Sequence, residues 1–304
     1  MCDTKEELMR LAKSNVGMIT TKSTSLYPSK GNPGPKLYTS GTMTQNSNGL
    51  ENVGIEKRVE IIHEMLRSGI KNGRKKPIIL SAVATDPREV SPLFKYIESN
   101  GSPHIASIVE GNVSCPNKGD DELIYQNPDK LEKWLDAARS EYSDFLGIKV
   151  GPVQNKKQYD QIVKLLKKYD IDFINAINSP VGFDVNLLDW KTVIHPQEGH
   201  GGIGGDDVLR IALHNVNEFY KRLKDTNIQI IGTGGIVPGN GEHGAEKHIL
   251  SGANVCGVGS AYQVRGPEVF DDLCAETAEY MRAKKLTSPK QMRGKVTTLE
   301  REMD

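Results

Sequence analysis

Seven short apolar runs, each trailed by a longer stretch of helical periodicity, constrain this chain more than any other feature. The runs are GMITTK (17–22), PIILSAV (77–83), HIASIVEGNV (104–113), FLGIKV (145–150), DFINAI (172–177), IQIIGT (228–233) and NVCGVG (254–259). Most are near-continuously apolar, which suits parallel strands covered on both faces better than half-exposed hairpins. Helical patterns lie near 4–14, 54–70, 87–99, 128–141, 156–168, 206–223, 242–251 and 266–283. In the 206–223 stretch, Val208, Ile211, Ala212, Val216, Phe219 and Leu223 recur at three- and four-residue steps, giving one apolar stripe. Two helix starts carry their own signals. Thr4-Lys5-Glu6-Glu7 has the capping-box pattern, and Asn127-Pro128-Asp129 combines an amide cap, a first-turn proline and a carboxylate at the positive dipole end.

This alternation predicts an α/β fold, a (β/α)8 TIM barrel, with residues 1–304 as one domain. A closed barrel of that kind needs eight strands, each followed by its helix. Seven strands are found here and the first element is a helix, so either the barrel lacks its opening strand or an eighth strand escapes the count. Three long excursions interrupt the alternation, at 23–53, 114–127 and 179–205. Each follows the C-terminal end of a strand, where barrel enzymes build their sites.

Charge narrows the class. Lys and Arg together number 39, as do Asp and Glu, so the formal net charge is zero. Nothing electrostatic therefore suggests nucleic acid or an anionic membrane as partner. The four cysteines, Cys2, Cys115, Cys256 and Cys274, show no metal or disulfide spacing. No apolar stretch approaches the ~18 residues of a membrane span. A reduced, soluble, cytoplasmic protein is expected.

Residue types at the strand ends suggest the chemistry. Gly232-Thr233-Gly234-Gly235 and Gly257-Val258-Gly259-Ser260 close the last two runs. In an eight-strand count these are strands 7 and 8, whose loops commonly hold phosphate. Glycine lets backbone N–H groups approach phosphate oxygens, although two ordinary tight turns would read the same way. Lys22 and Lys149 end apolar runs, where an ammonium either stabilises negative charge on a ligand or snorkels to solvent. Asn46, Asn112, Asn117 and Asn178 recur at strand ends or in neighbouring loops, with Ser179 beside the last. Such amides suit a flat ligand with amide and carboxylate groups; turn formation explains any single one. Cys115 stays open between a buried structural thiol, a nucleophile and a general acid–base. His195 and His200 have no matching ligands, so no metal site is expected.

Taken in order, TTKSTSLYPSKGNPGP (20–35), QNSNGLENVG (45–54), NVSCPN (112–117), INSPVG (177–182), GHGGIGG (199–205), IIGTGGI (230–236) and GSAYQVRGPEVFDDL (259–273) resemble dihydroorotate dehydrogenases of the class 1A branch. The resemblance spans nearly the whole chain. It implies a barrel around flavin mononucleotide (FMN) that oxidises dihydroorotate to orotate in pyrimidine synthesis. It further implies fumarate as electron acceptor, succinate as product, and a homodimer.

By that resemblance Cys115 is the catalytic base, removing the C5 proton of dihydroorotate. Lys22, Asn46, Asn112, Asn117, Asn178 and Ser179 match substrate-binding positions, with the backbone of Asn48, Gly49 and Leu50 contributing. Lys22, Ser23, Asn112, Lys149, Ile177, Gly205, Gly234, Gly235, Gly259 and Ser260 match places around the flavin, the last four near its phosphate. Several departures stand out. The family's first strand is absent, Asn48 replaces a usual methionine, and Gln197 and His200 replace a common lysine and phenylalanine. GIVPGNGEHGAEKH carries a short insertion beside the phosphate loop, and the catalytic loop reads NKGDDELIYQ. The rival readings are a divergent flavoprotein of the same fold with another substrate or acceptor, and a non-catalytic paralogue that cannot hold flavin.

Overall fold

The structure, a computed structural model, describes residues 4–67, 76–101, 108–115 and 122–299. Among the described residues, seven parallel strands form one curled sheet: β1 (Ile19–Thr20), β2 (Ile78–Ala82), β3 (Ile108–Asn112), β4 (Phe145–Val150), β5 (Phe173–Ala176), β6 (Gln229–Thr233) and β7 (Val255–Gly257). Their spatial order is their chain order. Each pairs with the next in parallel register, as in Leu80↔Val109, Gly147↔Phe173 and Ile231↔Val255. Every expected strand is present, with residues 104–107 of the third run outside the described residues. β2 and β5 are buried at every position, as continuous apolar runs require.

The helices are α1 (Lys5–Lys13), α2 (Ile55–Arg67), α3 (Pro87–Gly101), α4 (Pro128–Glu141), α5 (Lys156–Lys168), α6 (Leu209–Leu223), α7 (Gly244–Ser251), α8 (Ser260–Arg265) and α9 (Val269–Ala283). Each amphipathic helix turns its apolar stripe inward. On α3, Val90, Leu93, Phe94 and Ile97 are fully buried, each contributing about 1.5–3 kcal/mol relative to exposure. The two start signals operate as read. Thr4 and Glu7 make the reciprocal capping box, and Asn127 Oδ1 accepts from the backbone N–H groups of Asp129 and Lys130 at 3.0 and 3.1 Å. The helix expected near 266–283 spans Val269–Ala283, and a separate short helix that the sequence pattern did not anticipate, α8, precedes it; Gly266, at φ +80°, and Pro267 separate the two.

Two of the three excursions are not irregular. Leu37–Ser40, Met43–Asn46, His200–Gly204 and Val181–Phe183 form a four-stranded antiparallel sheet in which Met43–Asn46 pairs with His200–Gly204. The excursion after β1 is thereby hydrogen-bonded to the one after β5.

Inside the curl, side chains alternate with period two. Met18, Ile79, Ile108, Phe173 and Ile231 make an apolar floor. Gly147 permits it, because a Cβ there would lie 2.4 Å from the Phe173 ring. One step up the same strands the interior turns polar, at Ser81, Glu110, Lys149, Asn175 and Thr233.

At the sheet's margins, no bridge joins β1 to β7 among the described residues. A cavity of about 170 Å³ lies between them, lined by Leu11, Met18 and Ile19 on one side and Val255, Val258 and Phe270 on the other. Among the described residues, no helix is long and apolar enough to cross a membrane.

Candidate active site

Polar side chains gather where the strands end. Ser23 Oγ lies 2.9 Å from Ser81 Oγ and accepts from Asn112 Nδ2 at 2.9 Å. Asn112 Oδ1 accepts from Asn178 Nδ2 at 3.2 Å, and the same amide reaches Ser114 Oγ at 3.2 Å. Ser114 Oγ donates to the Lys149 carbonyl at 2.8 Å. One network thus ties together the chain leaving β1 through β5. Its buried members satisfy one another, where an unpaired buried polar group would cost about 1–3 kcal/mol.

Cys115 follows directly from this network and is half-buried. It lines a cavity of about 660 Å³ together with Asn112, Leu123 and Trp134. Asn117 lies outside the described residues. Lys22, its side chain 14 % exposed, places Nζ 3.8 Å from Glu51 Oε2. The hydrogen bond from Lys36 to Glu51, 2.7 Å long, holds that carboxyl below its usual pKa against the effect of burial, and the Lys22 charge adds to it.

The antiparallel sheet delivers the remaining amides. Asn46 Nδ2 reaches the Gly202 carbonyl at 3.4 Å, and Asn48 Nδ2 donates to Asn46 Oδ1 at 3.2 Å. Ser179 packs on Gly202, where a Cβ would sit 2.7 Å from the serine Cβ. Gly49 and Leu50, at φ +66° and +59°, turn the chain back beside them.

A second cavity, of about 110 Å³, is lined by Lys149, Ile177, Asn178, Ser179, Gly205, Gly234, Gly235, Gly259 and Ser260. Glycine is required here for space and for backbone shape. Gly234 and Gly235 have φ +117° and +76°, and a Cβ at 235 would lie 2.4 Å from the Leu209 Cα. Ser260 Oγ and Thr44 Oγ1, 2.7 Å apart, supply hydroxyls at Gly204. A glycine cradle with hydroxyls fits an anionic group such as phosphate. Lys149, Thr233, Gly257 and Gly259 also line the cavity between β1 and β7, so this pocket continues into the interior.

The nine residues around the glycine pocket are therefore brought together. Among the described residues Cys115 lines the wide cavity instead, and Asn112 links the two through its bond to Asn178.

Sequence reasoning missed Glu110 and Asn175 in the polar layer just beneath. Glu110, 1 % exposed, accepts from Asn175 Nδ2 at 2.7 Å, and Asn175 Oδ1 accepts from Thr233 Oγ1 at 2.7 Å. Burial raises the Glu110 pKa, opposed by the Lys149 charge and the Asn175 bond. A lone carboxylate within an apolar run was the available signal.

Residues 1–281 match the family model described as dihydroorotate dehydrogenase. A protein of Streptococcus agalactiae serotype Ia named "Putative dihydroorotate dehydrogenase A (fumarate)" is 35 % identical over 298 residues, covering 98 % of this chain and 92 % of its own length. A protein of the same name from Streptococcus pyogenes serotype M3 is 35 % identical over 293 residues, covering 96 % of this chain and 90 % of its own. The crystal structure of DHODH from Eimeria tenella in complex with ferulenol superposes with a TM-score of 0.80 at 18 % identity, covering 97 % of this chain and 82 % of that one. At that identity the likeness speaks for the fold. With the family model spanning most of its length and relatives at 35 % identity, this chain belongs to the dihydroorotate dehydrogenase family.

Proposed function

We propose that the chain oxidises dihydroorotate to orotate in pyrimidine synthesis, using FMN and passing the electrons to fumarate to give succinate. One observation carries this reading: Cys115 sits at the end of β3 beside an amide and hydroxyl network that also reaches the glycine pocket. Bound FMN would supply a two-electron acceptor. Gly234, Gly235, Gly259 and Ser260 would hold its phosphate, with Ile177, Gly205 and Ser23 beside it. The Lys149 ammonium would favour negative charge on the reduced flavin.

The chain's own residues orient the substrate and move its proton. Asn46, Asn112, Asn117, Asn178 and Ser179 pair with its amide and carboxylate groups, Lys22 offers an ammonium, and the backbone of Asn48, Gly49 and Leu50 completes the contact. Cys115 Sγ takes the C5 proton. Half-burial of the thiol suits a general base reached by substrate and shielded from bulk water.

The remaining assignments belong to the same reading: a single cytoplasmic domain over residues 1–304, working as a homodimer. Phe183, Leu187, Leu188 and Trp190 crowd one exposed excursion, with Leu188 94 % and Trp190 89 % exposed. Apolar clusters of this kind mark association surfaces, and a second copy of the chain is the proposed partner. The test is turnover by purified, FMN-supplemented protein. Orotate formation coupled to fumarate supports the reading, and turnover with NAD in place of fumarate overturns the acceptor. A protein that cannot be loaded with flavin overturns the whole assignment.

A further inference from the structure

His248 on α7 is fully buried, and its Nε2 lies 2.8 Å from the Gly234 carbonyl. Burial keeps the imidazole neutral, its pKa lowered to about 4. A neutral ring facing a carbonyl carries its proton on that nitrogen, so Nε2–H donates. The other nitrogen, Nδ1, is buried and has no hydrogen-bond partner among the described residues. It faces β6 where a Cβ on Gly232 would sit only 2.4 Å away. The ring thus occupies a slot that glycine opens, and its polar engagement among the described residues is with the glycine turn.

Peptide planarity gives that engagement a consequence. The carbonyl of residue 234 and the N–H of residue 235 belong to one trans peptide and point in opposite directions. Drawing the Gly234 carbonyl toward α7 aims the Gly235 N–H away from α7. Gly234 and Gly235, both at positive φ, line the glycine pocket. Glycines in this conformation have few intrinsic restraints, so an outside hydrogen bond decides the orientation of their peptide. Gly244, at the start of α7, packs on the same turn; a Cβ there would lie 2.6 Å from the Gly235 carbonyl.

We propose that His248 is a positioning residue: it fixes the Gly234–Gly235 peptide so that the Gly235 N–H serves a phosphate in the pocket, selecting phosphorylated over unphosphorylated flavin. This rests on the reading that the pocket holds the FMN phosphate. The test is fluorescence titration of the flavin-stripped full chain with FMN and, separately, with riboflavin, which lacks the phosphate.

In His248→Leu, FMN affinity falls about tenfold while riboflavin affinity changes less than about twofold. His248→Gln, whose amide can donate from a similar position, restores FMN binding to within about threefold of wild type. Gly232→Ala, which forces the ring from its slot with histidine still present, gives the same FMN-selective loss and serves should the leucine variant not fold. Equal loss of both flavins, no loss of either, or failure of glutamine to rescue overturns the role of His248 alone. Wild type that binds FMN no more tightly than riboflavin overturns the phosphate reading, and this inference with it.

Discussion

The floor and the rim of the curled sheet use the same strands and the same inward face, yet their residue types are opposites. On β3, Ile108 belongs to the floor and Asn112 to the rim; on the chain through β5, Phe173 belongs to the floor and Asn178 lies just beyond the rim. The floor is closed by dispersion and shape, with Phe173 filling the space that Gly147 leaves and stacking on Phe145 at 5.7 Å between centroids. The rim is held by hydrogen bonds among side chains that keep donors and acceptors to offer a ligand. A few residues along one strand thus separate stability from chemistry, and substitutions in the two layers should fail in different ways.

The largest effect should come from the rim. Cys115→Ser replaces the proposed base with a far weaker acid, so turnover at neutral pH should fall about 100- to 10,000-fold and recover partly as pH rises. The melting temperature should hardly change, because the side chain is half-buried and nearly isosteric. A pH–rate profile beside a thermal melt checks both; unchanged turnover at neutral pH removes Cys115 from the mechanism.

The floor should show the reverse. Phe173→Ala opens a cavity against Gly147 and should cost about 3–5 kcal/mol of stability, read as a shift in the urea midpoint. At temperatures where the variant is folded, flavin affinity should stay close to wild type. A selective loss of flavin binding would place Phe173 in the site and dissolve the distinction.

How far the sequence revealed these layers depends on how local their causes are. The strands were legible because PIILSAV and FLGIKV are apolar at nearly every position, which requires cover on both faces. The glycine turns were legible because so many glycines at two strand ends have few structural uses. The antiparallel sheet was not, because LYTS and HGGIG carry no alternating pattern and their pairing, Asn46↔Gly202, spans much of the chain. Helix α8 is too short, at six residues, for a 3.6-residue period to emerge. Glu110, Asn175 and His248 were missed for another reason. Each owes its place to a partner on a different element, and only the folded register brings those partners within bonding distance.

Between floor and rim sits the layer of Glu110, Asn175 and Thr233, and smaller perturbations there should sharpen the boundary. Thr233→Val keeps the shape but removes the donor to Asn175 Oδ1, and should cost about 1 kcal/mol. Thr233 also lines the glycine pocket and the cavity between β1 and β7, so a modest loss of flavin affinity should accompany it. A purely structural layer would lose stability alone.

Glu110→Gln should give the smallest effect, with a sign opposite to that expected for removing a useful charge. Burial raises the folded-state pKa of Glu110 above its ordinary value. The unfolded chain therefore releases this proton at lower pH than the folded chain does. Stability from the protonated carboxyl is full below the unfolded pKa and declines as pH rises toward the folded one. Glutamine can still accept from Asn175 and has no proton to lose. The variant should match wild type in acid, below about pH 4.3, and become the more stable of the two as pH rises toward neutrality. Urea unfolding at several pH values checks this. A variant less stable than wild type at neutral pH would mean that the Lys149 charge outweighs burial. Glu110 would then belong with the proposed ligand-binding rim rather than with the layer that supports it.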